Sequence, residues 1–329
     1  MKKSLGVLLT TVALLFASSV VRAQTTLPLT VAPARQQISL NPGEESQIMV
    51  KFYNQSDFPL AGLVKVADFV VDNDQGTPRI IEDASQASPK FSASAWMSLL
   101  NDRTTIPAND KTTVQVTIDV PKEALPGGRY VAVFFEPVFT PATAVGQSAT
   151  GIVPRIASLL YIRVNGPIKE DAFISNMFAK SFYEYGPIDV SAQIANNGDY
   201  HIRPQGTFVL TDSLGGIVQQ SSLKAENIFP DALRVFTTSI GEKWMMGRYK
   251  ISLSALYGEK NNKTMERSIY VWVFPWRVTL IVILTLIILG IISRAVYKNI
   301  IVKETSLEEE LSEEKKEIEK LKKELGKRE

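Results

Sequence analysis

Cysteine is absent and histidine occurs once, at His201. Without thiols there is no disulfide frame, no thiol nucleophile and no Cys/His metal cluster. A single imidazole leaves few arrangements for a Ser-His-Asp triad. An excess of charge of either sign is lacking too: 36 Lys and Arg face 34 Asp and Glu, for a net charge of +2. That excludes a global basic field for nucleic acid. Charged residues are 21% and hydrophobic residues 45% of the 329, so the chain is neither disordered nor of low complexity.

Two apolar runs set the expected address. Met1-Lys2-Lys3 precedes the run from Leu5 to Val21, which ends in Val21-Arg22-Ala23. A basic start, an apolar middle and small or apolar residues at −3 and −1 read as a secretory signal peptide over residues 1–23. The second run, Val278 to Ile292, is interrupted only by Thr279, Thr285 and Gly290 and is bracketed by Trp276 and Tyr297. That span is about 33 Å as a helix, the thickness of a bilayer core, with an aromatic residue at each interface. Arg294, Lys298 and Lys303 follow it, whereas only Arg277 precedes it closely. The positive-inside bias predicts a single-pass plasma-membrane protein over 276–297, with an extracytoplasmic ectodomain and a cytoplasmic C-terminus.

Between these runs the chain alternates with period two. Thr113 to Val120, Gln47 to Phe52, Ile188 to Ile194 and Tyr249 to Leu253 each place apolar residues at every second position, as half-buried strands do. Asn41-Pro42-Gly43 suits a type II turn, Ile106 to Asp110 a second turn, and Asn197-Gly198 and Gly215-Gly216 hairpins. Ala93 to Leu100 allows at most a short helical turn. Short strands with turns at this spacing argue an all-β ectodomain of two immunoglobulin-like β-sandwiches, over 24–165 and 166–275, divided at Asn165-Gly166-Pro167. Pro137 to Pro154 reads as a long loop between strands of the first.

The same region resembles the WxL-interacting, peptidoglycan-binding-type family of bacterial surface proteins of unknown function. The likeness rests on Asn41-Pro42-Gly43 with its alternating strand ending near Asn54, on Trp96 before a hydrophobic strand, and on Val120-Pro121-Lys122-Glu123-Ala124-Leu125-Pro126-Gly127-Gly128-Arg129-Tyr130. It continues through Asn197-Gly198-Asp199-Tyr200-His201-Ile202-Arg203-Pro204-Gln205-Gly206, Gly247-Arg248-Tyr249 and Phe274-Pro275-Trp276. It covers most of residues 24–276. The resemblance implies an immunoglobulin-like ectodomain, one C-terminal span and a role at the cell envelope, and it supplies no catalytic residue.

Candidate chemistry is sparse. Asp72-Asn73-Asp74-Gln75-Gly76 has the oxygen density of a calcium loop, but counting from Asp72 puts glycine at position five and threonine at six, against the EF-hand order. A hairpin tip is expected instead. His201 reads as a surface or edge-strand residue. The doublets Glu82-Asp83 and Glu170-Asp171 read as solvated pairs rather than a glycosidase couple. No catalytic residue, metal site or cofactor is predicted, and the chain is read as not an enzyme. Arg35, at the start of the first strand, and Arg163, on the last strand of the first domain, are the binding candidates, with Arg155 beside them. In fimbrial chaperones, which also pair two such domains, basic residues capture a client's carboxylate; the alternative is solvation and inter-strand ion pairing.

The tail, 298–329, carries the sharpest local pattern. Ser306 and Glu309 read as a capping box that starts a cytoplasmic helix. Leu311, Ile318 and Leu325 are seven apart, and Leu307 and Leu321 take the complementary position with Glu314 between them. This a/d pattern predicts either a solvated helix or a weak coiled-coil homodimer, the glutamate lowering its stability. The expected function is a membrane-anchored surface-binding or scaffold protein whose partner is an envelope polymer or another surface protein. A single-pass signal transducer and an anchored assembly chaperone using edge-strand pairing are the alternatives. No nucleic acid is expected.

Overall fold

A computed structural model describes residues 29–138, 155–260 and 262–325. The expected signal peptide, residue 24 onward to the first strand and nearly all of the 137–154 loop lie outside the described residues. By compactness the chain forms two units. The first comprises the described residues up to Phe173 together with Ile194–Arg203 and Glu226–Arg234; the second comprises Ile174–Gln193, Pro204–Ala225 and the described residues from Val235 onward.

The first unit contains β1 (Leu29–Ala32), β2 (Arg35–Leu40), β3 (Glu45–Asn54), β4 (Leu60–Val70), β5 (Arg79–Ile81), β6 (Met97–Leu99), β7 (Arg103–Ile106), β8 (Lys111–Asp119), β9 (Gly127–Pro137) and β10 (Ile156–Val164). One sheet runs β1-β3-β8-β6 and the other β2-β10-β9-β4-β5, with β7 also on β4. Among the described strand pairs of this unit only β2–β10 is parallel; Arg35 lies opposite Leu159 and Ser39 opposite Arg163. Turn chemistry explains the first crossing. Asn41-Pro42-Gly43 closes with Glu44 N–H donating to Asn41 O at 3.1 Å, and Gly43 takes φ +81, which residues with a Cβ rarely adopt. The Asp72–Gly76 stretch lies between paired β4 and β5 and is organised by Asn73, whose Oδ1 accepts from the N–H groups of Gln75 and Thr77. The expected hairpin tip is therefore seen, and among the described residues no group of three or more potential ligands gathers for a metal.

The parity of β9 shows where the core sits. Val131, Val133 and Phe135 join Phe52, Val116 and Ile162 in a cluster drawn from both sheets. Tyr130, Ala132 and Phe134 point the other way and join a second cluster with Phe69, Tyr161 and Phe229. A strand covered on both faces loses the polar half of its alternation, which is why Tyr130 to Phe135 is an unbroken apolar run. Each fully buried Phe or Ile contributes roughly 2–3 kcal/mol of transfer free energy.

The second unit contains most of β11 (Ala172–Ala179), β12 (Phe182–Tyr183), most of β13 (Ile188–Asn196), β14 (Gln205–Thr211), β15 (Ile217–Ser222), most of β16 (Ala232–Ile240), β17 (Gly247–Tyr257) and β18 (Lys263–Val273). Its sheets run β11-β13-β16 and β12-β18-β17-β14-β15. Ile188, Val190, Ala192, Leu210, Ile251 and Leu253 are buried at alternate positions, as their period two requires. Gly215-Gly216 does turn a hairpin from β14 to β15, Gly215 at φ +89. Asn197-Gly198 does not. β13 and β14 belong to different sheets, and neither residue takes a positive φ. The cause is Asn196, fully buried, whose Oδ1 accepts from Gly198 N–H at 2.9 Å while its Nδ2 donates to Tyr200 O and Ile228 O. The side chain, not an Asn-Gly turn, bends the chain out of the strand.

Phe274-Pro275 leads directly into α1 (Trp276–Leu325), 50 residues long, about 75 Å at 1.5 Å per residue. Its first part, Trp276–Lys298, has a mean hydropathy of 2.5 and no buried residue, and is long and apolar enough to cross a membrane. Thr279 and Thr285 keep their hydroxyls satisfied within the helix by donating to Pro275 O and Ile281 O. The expected second helix starting at Ser306 is corrected: Ser306 lies inside α1. A capping residue stands outside helical geometry at an end, and here the helix has no end to cap.

Candidate functional site around His201

β2 and β10 place the two binding candidates on one sheet face. Arg35 and Gln37 share parity on β2, and Gln37 lies opposite Tyr161, two residues before Arg163 on β10. The guanidinium of Arg35 is 5.8 Å from the Tyr161 ring centre, and that of Arg163 is 5.5 Å from Tyr200. Gln37 Nε2 donates to the Tyr200 hydroxyl at 2.7 Å. Both arginines therefore rest on tyrosine rings, a cation–π arrangement. Arg155 instead forms the expected ion pairs, with Glu82 and with Glu136 Oε1 at 2.8 Å. The hydrogen bond from Lys65, and then that from Arg155, hold the Glu136 carboxyl below its ordinary range.

His201 lies between these rings and is only 8% exposed, which corrects the expected surface position. Its ring centre is 4.2 Å from Tyr200, 5.2 Å from Tyr161 and 5.8 Å from both Tyr130 and Phe229. All of these residues belong to the first unit, in which Ile194–Arg203 and Glu226–Arg234 are joined to each other by the bridge between Ile202 and Ile228. His201 N–H donates to the Tyr130 hydroxyl at 2.9 Å, and the same hydroxyl is 3.3 Å from Nδ1. The direction of that second contact follows the imidazole tautomer: the phenol donates to a bare Nδ1 or accepts from a protonated one.

Burial, and then the nearby Arg35 charge, lower the imidazole pKa to about 4. Burial likewise pushes the Tyr130 phenol well above its ordinary value. It raises Tyr161 as well, against the opposing hydrogen bond from Arg35. The imidazole is neutral at physiological pH and the phenols keep their protons, and the cluster carries the Arg35 and Arg163 guanidinium groups on its tyrosine rings. Nearby, buried Asp68 accepts from the N–H groups of Ala93 and Ser94 at 2.8 and 2.9 Å and fixes the short helical turn Ser94–Trp96.

The aromatic members Tyr130, Tyr161 and Phe229 were not singled out by sequence. The available signal was parity: in two strands with unbroken apolar runs, the bulky aromatics Tyr130, Phe134 and Tyr161 fall on one face. The remaining expected site residues lie on α1. Trp276 is 46% exposed, and Arg277 is 3.5 Å from Glu184 and 5.4 Å from the Trp276 ring. Arg294, Tyr297 and Lys298 are exposed. Leu307, Leu311 and Ile318 are each more than half exposed; the side chains of Leu321 and Leu325 lie outside what is described.

No protein-family model matches the chain, and no curated protein does. Among solved structures, the chain is similar to a chaperone–tip adhesin complex of CFA/I fimbriae biogenesis at 12% identity and TM-score 0.39, covering 75% of this chain and 99% of that one. It is similar to the class 5 fimbriae chaperone CfaA at 12% and 0.39, covering 73% and 98%. It is also similar to the E. coli chaperone DraB at 12% and 0.34, covering 74% and 96%.

Proposed function

We propose that the chain is a non-enzymatic, membrane-anchored surface-binding protein: two immunoglobulin-like sandwiches held outside the plasma membrane that bind an envelope polymer or another surface protein. The observation that carries this reading is the junction of β18 and α1. An apolar segment with no buried residue, Trp276–Lys298, begins with only two residues between it and β18, so the β-rich body is tied to its anchor without a flexible linker. Arg294 and Lys298 at the C-terminal end of the segment favour an inward tail. The resemblance to the WxL-interacting family implies the same placement. In intact spheroplasts, protease should spare an epitope at Glu329 and destroy one near Gln24, and a chain ending at Phe274 should leave the membrane fraction. Loss of the C-terminal epitope, or membrane retention of the shortened chain, would sink the reading.

The unbroken α1 favours a second reading, transduction. One helix joins β18 to the heptads of the tail, so a displacement at the exported end has a rigid path inward. Deleting residues 306–329 separates the two: a transducer loses its cellular effect as completely as a full gene deletion, whereas a scaffold keeps it.

A further inference from the structure

The end of the second unit from which α1 emerges carries large apolar side chains at loop tips, where turn chemistry favours polar residues. Gly247 at the start of β17 lies opposite Val273 at the end of β18, and Val273 also lies opposite Tyr183 of β12. By register, three segments lie at this end of the sheet. The first is Gly241 to Met246, with Trp244 66% and Met246 69% exposed. The second is Glu184 to Pro187, whose Tyr185 meets Trp244 edge-on at 5.4 Å and whose Gly186 N–H donates to Lys243 O. The third is the β14–β15 hairpin. Thr211 lies opposite Lys250, three residues from Gly247, and beyond it Leu214 stands 94% exposed at a tip held by the Asp212 carboxylate.

Basic groups Lys243, Arg248, Lys250 and Arg277 share this end with the carboxylates of Asp212, Glu184 and Glu242; Glu184 is engaged by Arg277. Aromatic and aliphatic tips with interspersed basic groups are the composition that partitions into a headgroup layer. An ordinary soluble surface scatters such residues singly.

We propose that these three loops form a bilayer-docking face, with Leu214, Trp244 and Met246 inserted among the lipid headgroups beside the start of α1. The occupant is the lipid surface because the face is continuous with the apolar segment that crosses it. The proposal rests on the reading of Trp276–Lys298 as a span. Docking at three loops fixes the tilt of the second unit, which one helix alone leaves free to rotate about its axis.

The chain has no cysteine, so single-cysteine variants of the full chain take a nitroxide label at one position only. Leu214→Cys, Trp244→Cys and Met246→Cys probe the face, the last two guarding against a fault from either substitution. Lys260→Cys, at the opposite hairpin about 34 Å along β17, is the exposed control, and Leu284→Cys probes the span. In vesicles of phosphatidylcholine and phosphatidylglycerol, collisions with a water-soluble nickel complex should fall several-fold at 214, 244 and 246 relative to 260, with collisions with oxygen rising. Labels at the three face positions as accessible to nickel as position 260, with 284 shielded, would overturn the docking face and leave the anchor standing. Nickel access at 284 as well would overturn both.

Discussion

His201 exchanges water for four aromatic rings, and that exchange sets a pH dependence. The free imidazole titrates at 6.5 and the folded one at about 4. Between those values the unfolded chain binds a proton that the folded chain refuses. Stability is therefore complete above pH 6.5, declines as pH falls toward 4 and levels off below it, by up to about 3 kcal/mol in all. Asp199, whose carboxyl is held low first by Lys90, loses support only further down the acid range. Urea unfolding of the full chain in detergent at pH 7 and pH 4.5 should show the decline, and His201→Gln should remove most of it. An unchanged decline in that variant would mean the imidazole is not the group responsible. Nothing in the neighbours of His201 in the chain reveals this burial, since Tyr130 and Tyr161 come from strands far upstream. Asn54 and Asn196 were more legible in retrospect. Each ends an alternating strand, and each carboxamide accepts from the N–H two residues on, Ser56 and Gly198. The shared pattern Asn54-Gln55-Ser56-Asp57 and Asn196-Asn197-Gly198-Asp199 marks that device.

At the scale of elements, α1 combines two chemistries in one rod. Its first half is apolar all round; its second half has only a narrow apolar seam, with Leu307, Leu311 and Ile318 each over half exposed. A second copy of the helix would bury such a seam, and Glu314 within it would keep that association weak. Confinement of the apolar segment to a membrane would raise the local concentration that such a weak pair requires. The double variant Leu311→Asn, Ile318→Asn should abolish crosslinking between tails in membranes and leave export unchanged; persistent crosslinking would reduce the heptads to one face of a solvated helix. The strands were readable because alternation is local: β3, β13 and β17 contain the runs that predicted them, and β8 contains all of its run but Val120. The Asn197-Gly198 hairpin was misread because the dipeptide favours a turn only when nothing else claims its backbone, and the Asn196 side chain does.

For the whole molecule, the absence of cysteine, the balanced charge, the β-rich middle and the 23-residue apolar helix are all properties of composition or of contiguous residues. The sequence determined these by itself, since period two and an uninterrupted apolar length depend on near neighbours alone. Tertiary structure alone decided the rest. It assigned Ile194–Arg203 and Glu226–Arg234 to the first unit, covered the second face of β9 and β10, and brought Arg35 and Arg163 onto Tyr161 and Tyr200. It also set Leu214 and Trp244 at the end from which α1 leaves. These outcomes depend on sheet order and register, which join residues tens of positions apart, and a pattern confined to one strand carries no information about which strand lies beside it.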